Sequence, residues 1–556
     1  MKTNCNKKSF LLSVCLFAGG TLFAGNEKCI DYYDGGMTET ARICMVSQLS
    51  TASGVELAEA YFYLGKISLD QNRQDLAADY FRKSAEAAPE YPYSLIGQGH
   101  LALLKNNKVE AENLFNKAAK MDKKDSNIPV QTALAYGKNK MYAEAFAQLE
   151  KARKINKSNP KIYVIEGDII LMQNPSDVGN ASGKYDMAIF FDKKCKEAYI
   201  KAASVYRKIN IDVSLEKINS VLEIDPDYTP AYLEMGETYF ANGMYIRSAA
   251  GYKRYMEAPG VSEEYQDKYA SALFVAKDFK GVLDQANKTL SENPKNPRML
   301  RLKKFVQYEL KNYDAALASA ENYFSIVPPS EHAWQDYRYY GLILKENKQD
   351  DKAIIYFEKA VEIEPSQAEL YKELAMAYED KKEYAKAIPN YEKFMNTTSG
   401  IALTDILAFG RCYWALGNSI PDTEKDKRNG YFAKADSIFT QITENSPNLF
   451  QGYWWRARAN AAIDPETKEG LAKPYFELTL QKIEEAKSNP VSVMLEANQY
   501  LGYYYYLQYT NAVKNKQRGP EVEAARTSAI NYWQKVLELE PGSEGAKQAL
   551  NILNKK

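Results

Sequence analysis

The stretch WQDYRYYGLILKENKQDDKAIIYFEKAVEIEP, residues 334–365, decides the fold. Counting from Gly341, an apolar residue stands at +3 (Leu344), a small one at +12 (Ala353) and an aromatic at +16 (Phe357). Another small residue follows at +19 (Ala360) and a proline at +24 (Pro365). The offsets +12, +16, +19 and +24 return at Gly65, Ala77, Phe81, Ser84 and Pro89. The series Gly99, Ala111, Phe115, Ala118 and the series Ala375, Tyr378, Ala387, Tyr391, Phe394 repeat the pattern in part. The closing proline recurs at Pro226, Pro294, Pro328, Pro447 and Pro541.

Each period holds two segments with apolar residues at helical spacing. Small residues in both segments let two backbones approach, and the aromatics fill the space beside them. The proline stops the second helix and begins the turn to the next pair. A lone helix pair cannot bury its apolar face, so such pairs stack. A two-helix period of about 34 residues resembles the tetratricopeptide repeat. The resemblance runs from about Val55 to Pro541 and comprises about 13 repeats. It implies an all-α, right-handed superhelical solenoid of antiparallel helix pairs.

Three repeats are longer. The one begun by Gly167 reaches its next small residue, read as Ala188, about nine residues late, through Asn174–Gly183. The one begun by Gly410 reaches Ala435 through an added Asn418–Gly430, and the one begun by Gly502 reaches Ala529 about fifteen late. These are lengthened loops or extended helices: tolerated insertions, since closure entropy grows slowly with length, or a contact edge. The repeats near Lys201 and Arg458 match weakly.

The ends differ from the middle. Lys7 and Lys8, the apolar run Phe10–Ala18 and the small-residue exit at Ala24 and Gly25 have the order of a secretory signal. A second reading takes Cys15 as a lipid-attachment site. The organisation expected is a signal segment at 1–24, an N-terminal cap at 25–54, the repeat array at 55–541 and a capping helix at 542–556. The cap would cover the first repeat. Four cysteines follow the signal, at 29, 44, 195 and 412. Cys29 and Cys44 flank the turn signal Asp34-Gly35-Gly36, and export permits a disulfide between them. The alternative is two small core residues. Cys195, taken as the +19 residue counted back from Ala188, and Cys412 read as core.

Composition argues against several functions. Lysine plus arginine and aspartate plus glutamate balance at 72 each, and loss of Lys2, Lys7 and Lys8 with the signal leaves three more acids than bases. That is not the basic excess a nucleic-acid binder needs. Phosphate loops, His-Glu-x-x-His, Gly-x-Ser-x-Gly and Cys-x-x-Cys motifs do not occur. The histidines, His100 and His332, read as surface or groove lining, and Glu263-Glu264 as a solvated face. The expectation is no enzyme, no cofactor, no metal and no membrane span.

The family resemblance implies that first helices line a concave groove, touched by residues just after the Gly or Ala and three before it. Here that points to Tyr199, Tyr206, Arg207, Arg298, Arg301, Phe305, Tyr308, Arg338, Arg411, Trp414, Tyr503 and Tyr506. Aromatics and arginines are the types that anchor interfaces; tyrosine stripes also pack between repeats. The Lys-Asn, Asn, Lys-Arg arrangement with which some family members grip chaperone tails is not present. The leading reading is a protein- or peptide-binding scaffold in the bacterial cell envelope, periplasmic or outer-membrane associated. The alternative is a glycan- or nutrient-binding envelope protein of SusD-like type, against which the end-to-end repeats argue.

Overall fold

The computed structural model describes residues 25–398 and 400–555. The signal segment at 1–24 lies outside the described residues. Among those described there are 29 α-helices, two short 3₁₀ turns and no β-strand. Two helices, Glu27–Asp34 and Thr38–Gln48, precede the repeats. Thirteen antiparallel pairs follow, from Gly54–Asp70 with Gln74–Ala87 to Val491–Lys514 with Pro520–Leu539, and Glu544–Asn554 closes the series. The chain forms two compact bodies, one ending at Leu310 and the other beginning at Lys311.

The period read from the sequence has a definite physical form. A Cβ placed on Gly341 would lie 2.5 Å from the Phe357 ring, and one on Gly65 would lie 2.3 Å from Phe81. The same contact joins Gly99 to Phe115, Gly236 to Tyr252 and Gly410 to Phe439. In these pairs the ring, at +16 in four of them and at +29 in the lengthened Gly410 repeat, lies directly on the bare backbone of the glycine and closes the hairpin. Ala353, Phe357 and Ala360 are all fully buried. Within many pairs the turn passes through a left-handed residue, such as Asn72, Lys140, Lys348 or Lys382, each with φ near +60°. The next amide then reaches back to the helix, as Gln349 N–H does to the Leu344 carbonyl at 2.9 Å.

The longer repeats are built from helix. After Gly410 the pair is Leu403–Ser419 with Lys425–Asn445, and a second glycine–aromatic contact, Gly417 on Phe432, closes the added turns. After Gly502 the pair is Val491–Lys514 with Pro520–Leu539, and the Trp533 indole lies against Gly502. The Gly167 repeat corrects the expected register. Its turn is short, between Pro160–Gln173 and Val178–Phe191, and Ala181, Tyr185 and Ala188 are the buried slots. Tyr185 is the ring on Gly167, so Ala188 is the second small residue and Asn174–Gly183 is largely helix. Cys195 therefore is not a second-helix residue; it caps the N-terminus of Lys196–Tyr206 and is buried there. Gly179 and Gly183 on either side of Ala181 give this stretch the look of a loop in the sequence, which hides the slot that Ala181 fills.

The N-terminal helices form a hairpin joined by the disulfide Cys29–Cys44, with Cα atoms 5.4 Å apart. Cys29 and Met45 pack with Ala60 and Leu64 of the first repeat. The hairpin reaches much further than the first repeat. Tyr32, Met37 and Ala41 share a core with Leu233, Tyr252 and Tyr255 of the sixth, and a Cβ on Gly35 would meet Pro230 at 2.3 Å. At the other end Ala546, Ala549 and Leu553 of the last helix are buried.

Two outcomes follow. Ala353→Leu places a branched side chain in the tight helix pair and is expected to destabilise by about 1–3 kcal/mol, read by denaturant unfolding; an unchanged midpoint contradicts the packing. Reducing Cys29–Cys44 releases a constraint worth about 3 kcal/mol for a loop of this length. Hydrogen exchange should then rise first in 27–48, while helices of the other body, such as Asp350–Ile363 and Ala368–Asp380, keep their protection.

Candidate binding surfaces

From the first repeat to the sixth, first helices of successive repeats pack on one another, whereas successive second helices make no comparable contact among the described residues. The first helices therefore form one continuous layer, and the disulfide hairpin lies across it. Its acidic residues meet lysines of distant repeats. Asp34 pairs with Lys161 at 2.7 Å, and Asp31 pairs with Lys196, 165 residues further along. The Tyr33 hydroxyl donates to Asp70 at 2.7 Å, and the Asn26 amide donates to the Glu56 carbonyl and to Glu59.

Between hairpin and helices is a chamber of about 690 Å³. Its walls carry the rings of Tyr33, Phe62, Tyr63, Tyr91 and Tyr93, the amides of Asn127 and Gln131, four lysines (66, 138, 161, 201) and five acids (Asp34, Glu59, Asp70, Asp168, Glu197). Most of the charge is internally matched. Lys138 meets Asp70, Lys161 bridges Asp34 and Glu197, and Lys201 bridges Asp168 and Glu197. Burial by itself would lower the Lys161 and Lys201 ammonium groups, but their carboxylate partners outweigh it and hold both above the ordinary lysine range. Burial raises Glu197, and the Asp34 carboxylate adds to it against the two lysines. Lys66 is different. It lies over the rings of Tyr33 and Tyr63 at 4.6 and 4.7 Å, and burial pushes it down to about 8. Burial likewise lowers His100, just below the chamber, to about 4, which keeps its imidazole neutral.

The C-terminal body presents a second set. The Arg458 guanidinium lies 4.8–5.0 Å from the ring centres of Trp414, Trp454 and Trp455, and its Nε meets Glu496 at 3.0 Å. Trp454 Nε1 donates to the same carboxylate at 2.8 Å. Arg411, half exposed, reaches Glu379 at 3.0 Å. Tyr503 is 43% exposed, and Tyr506 is partly buried near it in the same helix.

The twelve residues picked from the sequence divide accordingly. Tyr199 and Phe305 are 8% and 6% exposed and belong to the core, which corrects the expectation that they face a groove. Tyr199 shares a core with Ala198 and Ile218, and the Phe305 ring stands 6.2 Å from that of Phe274. Arg207 and Arg338 grip Glu234 and Glu373 of the next first helix through two nitrogens each, so they tie repeats together. Tyr206 ends its helix with its hydroxyl on Ser182. Arg298 is exposed, and Arg301 and Tyr308 are partly buried. Arg411 and Trp414 share the helix Leu403–Ser419, and Tyr503 and Tyr506 share Val491–Lys514, all in the C-terminal body. The chamber residues were missed. The positional rule applied to Gly65 and Gly167 selects Lys66 and Asp168 directly; keeping only aromatics and arginines discarded them.

Comparison with known proteins agrees with the repeat architecture. A tetratricopeptide-repeat family model matches residues 58–91 and 340–367. The TPR repeat-containing protein YpiA of Bacillus subtilis (strain 168) is 23% identical over 268 residues, 46% of this chain and 60% of YpiA. The chain thus spans less than two thirds of that curated relative. The C-terminal part of a TPR repeat-containing protein from Cytophaga hutchinsonii is 30% identical, matched over 51% of this chain and 99% of its own, with a TM-score of 0.40. Pseudomonas aeruginosa pilF is 20% identical over 42% of this chain and 98% of its own, at 0.32. The chain belongs to the tetratricopeptide-repeat family, whose fold is suited to protein–protein interaction. Among the described residues no helix is long and apolar enough to cross a membrane.

The hairpin's hold on the helix layer can be measured. Lys161→Met leaves Asp34 and Glu197 facing each other without their shared cation. Amide exchange in 27–48 should rise while that in Asp350–Ile363 of the other body stays slow. Lys108→Met, which removes exposed pairs with Glu144 and Glu112, should leave 27–48 unchanged. Equal exchange in both variants would show that the ion pair does not secure the hairpin.

Proposed function

We propose that this protein is an exported scaffold of the cell envelope that binds another protein through the first-helix surface of its C-terminal body. One observation carries the choice of surface: in the N-terminal body the corresponding layer is already covered by the chain's own hairpin. In the C-terminal body Arg411, on the helix that carries Trp414 of the Trp414–Arg458 cluster, and Tyr503, on the helix that carries the cluster's Glu496, stay open. Arginine and tyrosine with rings held rigid by neighbours are the groups from which interface hot spots are built. Export is supported by the signal-like order of residues 7–25 and by the Cys29–Cys44 disulfide, a bond favoured outside reducing compartments.

The test uses the full chain as bait in cross-linked envelope extracts, beside the double variant Arg411→Ala, Tyr503→Ala. Both positions are exposed enough that folding should be unaffected, checked by helical circular dichroism. The expected result is a discrete partner whose recovery falls about tenfold or more in the variant, the loss of one hot spot. Equal recovery by both baits removes this surface from the proposal. Finding the native chain in the cytoplasmic fraction removes the location.

A further inference from the structure

The charge pairing inside the N-terminal chamber leaves two groups over. Three of its four lysines meet carboxylates, and among the described residues Lys66 has none within salt-bridge reach; its polar neighbour is the Gln131 amide oxygen at 3.5 Å. Among the acids, Glu59 meets no cation among the described residues and accepts from the Asn26 amide at 3.0 Å. Burial raises the Glu59 carboxyl and lowers the Lys66 ammonium, so each pays for standing in the wall without an opposite charge. The groups facing Lys66 are Asp34 and Tyr33 from the hairpin, Tyr63 and Asp70 from its own helix, and Lys138 and Lys161 from neighbouring first helices. The nearby acids are already engaged: Asp34 by Lys161 and Asp70 by Lys138.

Lys66 and Glu59 belong to one helix, Gly54–Asp70, and are seven residues apart. Two turns put them on the same face with about 10 Å between them. The wall nearby is aromatic: Phe62 stands 5.8 Å from Tyr93 and 6.2 Å from Tyr91, centre to centre. The chamber's 690 Å³ is the size of a small-molecule site.

We propose that this chamber binds a small zwitterion of tripeptide size, its carboxylate on Lys66, its ammonium on Glu59 and an apolar or aromatic middle against Phe62 and Tyr63. A dianion such as phosphate ester is disfavoured, because the lining offers one unmatched lysine among five acids. A single amino acid is too short to reach both groups. This site is separate from the protein-binding surface of the C-terminal body and stands or falls independently of it.

The experiment is calorimetric titration of the full chain with Gly-Tyr-Gly carrying free ends, with its C-terminal amide, with its N-acetyl form, and with tyrosine alone. Saturable binding of the free tripeptide is expected, weakened about 10- to 100-fold by amidation, the loss of one charge-assisted contact. N-acetylation should also weaken it, and tyrosine should bind least. Lys66→Met should reduce the free acid to the level of the amide while leaving the amide unchanged. Because the acid–amide comparison uses the unaltered protein, it decides even where a variant folds poorly. Absence of saturable binding at millimolar tripeptide, or equal binding of acid and amide, overturns the proposal. Binding that depends on the carboxylate but not on the free amine overturns the role of Glu59 and with it the zwitterion.

Discussion

Much of this protein rests on the contact between a backbone without a side chain and an aromatic ring sixteen residues later. At Gly341 the missing Cβ leaves the space that the Phe357 ring occupies. The ring gains burial worth about 1.5–3 kcal/mol, and the two helices are held at a distance that any larger first-helix residue would forbid. Ala353 and Ala360 extend that closeness along the pair. Where the chain lengthens a pair, it repeats the device: Gly417 and Phe432 stand where the added turns would otherwise splay apart. Departures are compensated in kind. The repeat at Lys196–Tyr206 has Ala202 for glycine and the smaller Ile218 for the ring, both fully buried.

A layer of stacked helices is rigid along each pair and leaves the first-helix faces to be used. The N-terminal body uses them on itself. Its hairpin brings Asp31, Tyr33 and Asp34 to lysines and acids of several repeats, so residues far apart in sequence become one charge network. Such a network tolerates burial only because nearly every member is matched. Lys66 and Glu59, the two that are not, therefore stand out. The disulfide shortens the hairpin's freedom at the point where it has no repeat of its own to stack on.

The helix pairs, their number and the long repeats at Gly410 and Gly502 were legible because a period of small, aromatic and proline residues survives variation at every other position. The register failed at Gly167, where two further glycines disguised the start of a helix and Ala188 stood in for Ala181. The groove residues were harder. Spacing along one helix tells which residues share a face, but an arginine such as Arg338 and a lysine such as Lys66 satisfy the same spacing. Only the neighbouring helix decides that Arg338 is consumed by Glu373 and that Lys66 is left without a carboxylate.

The sequence by itself determined the repeat, the pairing of helices and the core of each hairpin, since those contacts form between residues close along the chain and every repeat restates them. It also brought Cys29 and Cys44 within reach of one another across a marked turn. The tertiary structure alone decided where the hairpin lies, which lysines and acids meet across 127 and 165 residues, and that a chamber remains beneath it. The reason is that stacking compounds small rotations from repeat to repeat. No single period encodes their sum, and the surfaces brought together by that sum belong to no repeat in particular.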